Sequence, residues 1–169
     1  NHTSPLDIPA LLIAIPDLRF VMAADLLSGS FLAVAGRCLG LEAVDRRRPT
    51  TGARQLARLA GRFGNGPLAI FPEGGIVPAR QGSRFHAGAF SLAIAAGAVV
   101  VPVAIHRAAE RLAPRARLRV VPGPVLVEIL DPIPVGGLGR GVRRHLRDQA
   151  EEAIQCPRDG TSAAASSGV

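Results

Sequence analysis

Short apolar runs alternate along this chain with stretches of helical periodicity, and glycine or proline marks most of the junctions. Arg19 to Ala24, Leu41 to Asp45, Leu68 to Phe71 and Val99 to Ile105 read as short, mostly buried strands. Between them lie helical segments, closed by Pro16, Gly40 and Gly64. The alternation predicts an α/β chain: a single-domain layered sandwich in which a mixed, mostly parallel sheet is flanked by helices. Ligands of such folds gather beyond the ends of the strands, where loops converge.

The helices have readable starts. In Ser4-Pro5-Leu6-Asp7, Ser4 suits the N-cap, Pro5 the first helical position and Asp7 the first turn, near the positive end of the dipole. Ser30 to Leu39 reads as an apolar helix. After Pro49 a helix carries Arg54, Arg58 and Arg62 on one face and Leu56, Leu59, Ala60 and Phe63 on another. Ala87 to Ala96 and Arg140 to Ile154 complete the set, and Arg117 to Val121 with Val125 to Leu130 predict a strand pair about Pro122-Gly123-Pro124. Ala87 to Ile105 is free of charge and approaches the length of a membrane span. Gly97 and Pro102 interrupt it, however, so a buried helix followed by a buried strand is the better reading. Residues 1–156 are expected to form the catalytic domain and residues 157–169, rich in Ser, Ala and Gly, a disordered tail. Because the chain opens at Asn1 without a Met, an N-terminal truncation is also expected.

All 20 basic residues are arginines; set against 13 acids they give a formal charge of +7, which favours anionic partners. Phe is the only aromatic present, so the arginines have no Tyr or Trp between them as stacking platforms, and a lipid headgroup or phosphate fits better than nucleic acid. Cys38 and Cys156 are far apart and belong to no metal-ligand spacing, so neither a disulfide framework nor a metal site is signalled.

Two segments carry chemistry. Leu68 to Phe71 runs into Pro72-Glu73-Gly74-Gly75, where the backbone must turn sharply and can approach a ligand closely. At the start of the chain, His2 and Asp7 stand five positions apart across the first helix start. On one continuous helix, five steps of about 100° would send them to different faces, but a turn at Ser4-Pro5 can fold His2 back over Asp7. The carboxylate then fixes the imidazole tautomer and stabilises its charged form, while the other ring nitrogen takes a proton from an alcohol.

These segments resemble the motifs of the lysophospholipid and glycerol-phosphate acyltransferases. Asn1-His2-Thr3-Ser4-Pro5-Leu6-Asp7 is similar to that family's His-x-x-x-x-Asp motif, Val44-Asp45-Arg46 to its arginine-bearing second motif, Phe71-Pro72-Glu73-Gly74 to its Phe-Pro-Glu-Gly motif, and Val100 to Ile105 to its proline-bearing fourth strand. Phe85-His86-Ala87-Gly88-Ala89 resembles the segment after the third motif. The likeness covers Asn1 to about Pro134, in family order. It implies a glycerol-phosphate acyltransferase-like fold in which His2 is the general base and Asp7 its partner. Thr3, Ser4, Arg46, Phe71, Pro72, Glu73, Gly74 and Gly75 would belong to the substrate pocket, with Arg46 gripping phosphate and Glu73 bonding an acceptor hydroxyl or steadying Arg46. It also implies acyl-CoA or acyl carrier protein as donor co-substrate, no other cofactor and no metal. The acceptor would be lysophosphatidate or a related lipid with a free hydroxyl, met at the cytoplasmic membrane face through peripheral contact or an anchor preceding Asn1.

Where the family usually has Thr-Arg-Ser, this chain has Gly75-Ile76-Val77, which removes a hydroxyl and a cation from the expected phosphate site. An aminolipid or glycolipid acceptor is therefore the alternative, and a noncatalytic lipid-binding module of the same fold a further one. No Gly-x-Ser-x-Gly elbow is present, so a covalent acyl-enzyme is not expected. In the last helix Arg140, Arg143, Arg144 and Arg147 share a stripe that can rest on anionic headgroups or simply face solvent, opposite the apolar stripe of Val142, Leu146, Ala150 and Ile154.

Overall fold

The computed structural model describes residues 1–23, 41–44, 55, 58–59, 66–77, 84–112, 120–136 and 141–155. Helix α1 (Asp7–Ala14) is followed by strands β1 (Arg19–Ala23), β2 (Leu41–Val44) and β3 (Leu68–Ile70). Helix α2 (Gly88–Ala96), strand β4 (Val103–His106), the single turn α3 (Ala108–Arg111), strand β5 (Leu126–Ile129) and helix α4 (Val142–Gln155) complete the described order.

Strands β2, β1 and β3 form a parallel sheet in that order, with Phe20 opposite Leu41 on one side and Ala69 on the other. Parallel neighbours need crossovers, which is why these strands lie far apart in sequence. Strands β4 and β5 pair antiparallel, Val103 opposite Ile129 and His106 opposite Leu126. Mixed strand directions with helices packed against them give the expected α/β layering, parallel in its larger part.

The long apolar stretch from Ala87 divides as anticipated. Gly97 closes α2 in the left-handed conformation (φ 60°), with its N–H on the Ala93 and Ile94 carbonyls. The strand beyond is shorter than the composition indicated. Pro102 lacks an N–H, and Val100 contributes only an isolated bridge to Ile133 before the ladder begins at Val103. Among the described residues, no helix is long and apolar enough to cross a membrane.

The predicted strand pair about Pro122-Gly123-Pro124 is corrected in part: Leu126–Ile129 pairs with β4, and Val120 and Val121 lie outside any strand. Arg117 to Arg119, Arg140, the helix expected at Ser30 to Leu39 and the tail lie outside the described residues. Of the arginine-rich helix after Pro49, only Gln55, Arg58 and Leu59 are described, all helical, with Leu59 buried and Arg58 exposed.

Among the described residues, two apolar clusters form the core. Leu11, Leu18, Phe20, Ile105 and Ala108 join α1, β1 and β4. Phe85, Phe90, Leu146 and Ala150 join α2 to α4, with Val142 and Ile154 packed alongside. The apolar stripe read in the last helix is thus a core contact. Arg143 and Arg144 face solvent, and Arg147 pairs with Asp148 at 2.7 Å. An exposed pair of this kind contributes little to stability.

Arg111 fastens the Pro122-Gly123-Pro124 turn. Its guanidinium donates to the carbonyls of Pro122 and Pro124, both at 3.3 Å. A Cβ on Gly123 would come within 2.5 Å of the guanidinium carbon, and the backbone there has φ 148°. Gly123→Ala is expected to cost about 1–3 kcal/mol in denaturant unfolding, through backbone strain and loss of the Arg111 bonds. Gly97→Ala keeps a positive φ but meets nothing within 4 Å, so the loss there should be smaller.

Candidate active site

The first turn of the chain is built around one carboxylate. Asp7 Oδ2 accepts the main-chain N–H of Thr3 at 2.7 Å and that of Ser4 at 2.9 Å, and lies 2.9 Å from His2 Nδ1. Leu6 N–H donates in return to Ser4 Oγ at 3.2 Å. The Ser4–Asp7 pair makes half of a capping box: the acid reaches back to the Ser4 N–H, while the Ser4 hydroxyl takes the N–H of Leu6 rather than that of Asp7. The helix start is corrected accordingly: Leu6 is the N-cap of α1, and Ser4 and Pro5 lie in the turn before it. The chain reverses over this turn, and that reversal lays the imidazole on the carboxylate.

Burial makes the arrangement stringent. Asp7 and Ser4 are fully buried, and His2 is only 8% exposed. With Nδ1 on a carboxylate, the ring is held as an Nδ1–H donor and Nε2 is directed away from Asp7. Phe71 stacks on the ring with centroids 3.9 Å apart and planes 18° apart. The imidazole thus has one fixed orientation.

The main chain of His2 is gripped from the loop after β3. Glu73 Oε1 accepts the His2 N–H at 3.0 Å, and Val77 N–H donates to the His2 carbonyl at 2.9 Å. The loop folds tightly to reach both. Gly74 N–H returns to the Phe71 carbonyl with φ 74° at Gly74, and His86 N–H closes on the Pro72 carbonyl at 2.8 Å. A side chain at position 74 would be strained in this conformation.

Several residues expected in the substrate pocket take other parts. The Ser4 hydroxyl donates to the Leu112 carbonyl at 2.7 Å, and the residue is fully buried rather than open to the surface. Thr3 contributes its main-chain N–H to Asp7. Glu73 neither reaches out to solvent nor rests on the surface; it is buried and holds the His2 main chain, while Oε2 has no hydrogen-bond partner. Gly75 has open space where a Cβ would stand. Phe71 and Pro72 line a cavity. Arg46 lies outside the described residues.

That cavity has a volume of about 630 Å³ and lies between the two core clusters, with Leu11, Ile15 and Ile105 on one side and Phe85, Phe90 and Ala150 on the other. Its walls are almost wholly aliphatic or aromatic, and its size is that of a small-molecule site. It reaches Asn1, Phe71 and Pro72, and Phe71 is the residue that stacks on His2. A flexible apolar chain can fill such a space. Among the described residues no three His, Cys, Asp or Glu side chains gather as metal ligands.

An oriented, buried His–Asp pair thus stands on an α/β frame, next to Phe71, which also lines an apolar cavity. Comparison with known proteins gives the family. The Acyltransferase family model matches residues 1–106. The chain is 32% identical, over an alignment of 185 residues, to the lyso-ornithine lipid O-acyltransferase of Pseudomonas aeruginosa, covering 96% of this chain and 67% of that protein. The crystal structure of the 1-acyl-sn-glycerophosphate (LPA) acyltransferase PlsC from Thermotoga maritima shares the fold, with TM-score 0.67 and 24% identity over 92% of this chain and 61% of that one. The chain therefore spans about two thirds of the length of these relatives. It belongs to the acyltransferase family.

Proposed function

We propose that this protein moves a fatty acyl group from the thioester of acyl-CoA or acyl carrier protein to the free hydroxyl of lysophosphatidate or a related lysophospholipid. The observation that carries this reading is the 2.9 Å contact of His2 Nδ1 with buried Asp7, beside Phe71, which lines an apolar cavity. The acyl chain lies in the cavity and its thioester carbonyl emerges near Phe71. His2 Nε2 takes the proton from the acceptor hydroxyl as its oxygen attacks the carbonyl carbon. The tetrahedral intermediate then expels the thiolate, which receives that proton from the imidazolium. Asp7 stabilises the imidazolium between the two steps. Both substrates are held together, so no acyl-enzyme forms and the gain comes from orientation and proton transfer.

A second reading of the acceptor has its own support. Gly75-Ile76-Val77 offers neither hydroxyl nor cation on a loop that meets His2, and the Pseudomonas relative is named for a lyso-ornithine lipid. An aminolipid without a phosphate would suit a loop of this composition.

The test is acyl transfer from labelled acyl-CoA and acyl carrier protein to lysophosphatidate, other lysophospholipids, lyso-ornithine lipid and a glycolipid. Consumption of lysophosphatidate is expected. If it is ignored while lyso-ornithine lipid is acylated, the aminolipid reading replaces the first. If no acceptor is acylated, the noncatalytic lipid-binding reading takes over. Contact with anionic membrane at the cytoplasmic face is part of the proposal, supported by the exposed Arg143 and Arg144 and the overall charge of +7.

A further inference from the structure

We propose that Asn1 is a positioning residue for the base: its carboxamide stands in for a neighbouring strand on the open edge of β4, and so fixes His2 relative to β4, a strand that lines the apolar cavity. This rests on the acyl-transfer reading above.

The argument begins with the ladder between β4 and β5. Alternate residues of an antiparallel strand direct both main-chain groups to the same neighbour. Leu130 N–H donates to the Pro102 carbonyl at 2.9 Å, so Pro102, Ala104 and His106 face β5, and Val103 and Ile105 face the opposite edge. Among the described residues no strand lies along that edge. Asn1 occupies it instead. Its Nδ2 donates to the Ile105 carbonyl at 3.0 Å, and its Oδ1 accepts the Ile105 N–H at 2.6 Å. The main-chain nitrogen of Asn1 lies 3.3 Å from the Val103 carbonyl. A primary amide presents a donor and an acceptor side by side, as a peptide group does, and can satisfy both groups of one strand residue.

The next residue is tied in the other direction, to the loop after β3 through Glu73 and Val77. Among the described residues β3 and β4 share no ladder, yet Ile70 and Phe71 at the end of β3 and Val103 and Ile105 of β4 all line the cavity. Asn1-His2 is therefore a two-residue link between the elements that line it. Its first residue is anchored to β4 and its second to the loop after β3. If the anchor on β4 is lost, His2 stays bonded to Asp7 but is no longer registered against β4. A displacement of about 1 Å between a base and its reacting group costs roughly a hundredfold in rate.

The identity of the side chain matters. Asp at this position would keep an acceptor for Ile105 N–H but set a carboxylate against the Ile105 carbonyl. Gln has the right amide on a stem one methylene too long.

The test compares the full chain with Asn1→Ala, Asn1→Asp and Asn1→Gln, each alone and combined with His2→Ala, using labelled acyl-CoA and whichever lyso-lipid of the acceptor panel is acylated. Asn1→Ala and Asn1→Asp are expected to lower kcat by about ten- to a hundredfold, with KM for both substrates within about threefold of wild type. On the His2→Ala background, Asn1→Ala should change the residual rate by less than about twofold, because the base it positions is gone. Should Asn1→Ala fail to fold, Asn1→Asp, which retains the bond from Ile105 N–H, carries the comparison. A folded Asn1→Asp with kcat within about twofold of wild type overturns the proposal. So does an equal loss with and without His2, which would mark a purely structural part. If His2→Ala itself leaves the rate intact, it is the functional reading that fails; if His2→Ala abolishes it and the Asn1 variants do not, only the assignment of Asn1 is lost.

Discussion

Replacing His2 by alanine is expected to lower kcat for acyl transfer by at least two orders of magnitude and to leave the fold in place. A positioned general base is worth about a hundred- to ten-thousandfold, and the lower figure corresponds to about 2.7 kcal/mol of barrier. The fold should survive because the structural ties of this residue run through its main chain: the N–H on Glu73 and the carbonyl under Val77 N–H remain when the side chain is cut back. What disappears is the contact with Asp7 and the stack on Phe71, together worth about 1–3 kcal/mol. His2→Gln is the sharper companion. Its amide can still donate toward Asp7, but it cannot accept and release a proton near neutral pH, so the rate should fall as far as in the alanine variant. Steady-state rates alongside circular-dichroism melting curves separate the two effects. A His2→Gln protein that turns over within tenfold of wild type would rule out the imidazole as base.

The second large effect is expected at Asp7, where chemistry and folding share one oxygen. Asp7→Asn can keep an amide oxygen in place of Oδ2, accepting the N–H groups of Thr3 and Ser4, so the helix start should persist. The negative charge is lost, however, and with it the stabilisation of the imidazolium and the selection of its tautomer. A fall in kcat of at least about a hundredfold is expected, with KM little changed. Asp7→Ala goes further. It strands two main-chain donors in a region where Ser4 and Asp7 have no solvent exposure, and it should cost about 2–4 kcal/mol of stability as well as activity. A normal rate in the asparagine variant would show that the carboxylate serves the helix alone.

The pair at the centre of these predictions was legible because it is local. The residues that shape it are Ser4, Pro5 and Asp7, and capping chemistry at that spacing has few geometric solutions. The turn that brings His2 over Asp7 is the one the sequence required for the two to meet. The layered α/β arrangement was legible too, since periodicity changes with each element, and α1, β1, β2, α2 and α4 fall within a residue or two of their expected limits.

The rest depends on pairings between distant parts of the chain, which spacing does not record. Nothing near Asn1 announces a bond to Ile105, 104 residues away, and nothing near Glu73 announces one to His2, 71 residues away. The resemblance offers Glu73 an acceptor hydroxyl or Arg46 as partner, and the residues around it in sequence name neither. Here it is drawn inward by the main-chain N–H of His2 that needs an acceptor. Ser4 is a similar case. A hydroxyl next to the base looks available, yet the carbonyl of Leu112 takes it. Strand partners were equally hidden: Pro122-Gly123-Pro124 shows where the chain bends, not that Leu126–Ile129 will lie along β4.

Because Asp7 both steadies the imidazole and starts α1, its two duties are separable only in one direction. A descendant released from catalysis could discard the imidazole at less cost to folding than an oxygen at position 7, where only the amide of Asn could take over the two main-chain bonds. Genomic drift in such lineages should therefore erase His2 first and retain Asp or Asn at position 7, an orphaned acceptor as the fossil of a vanished activity.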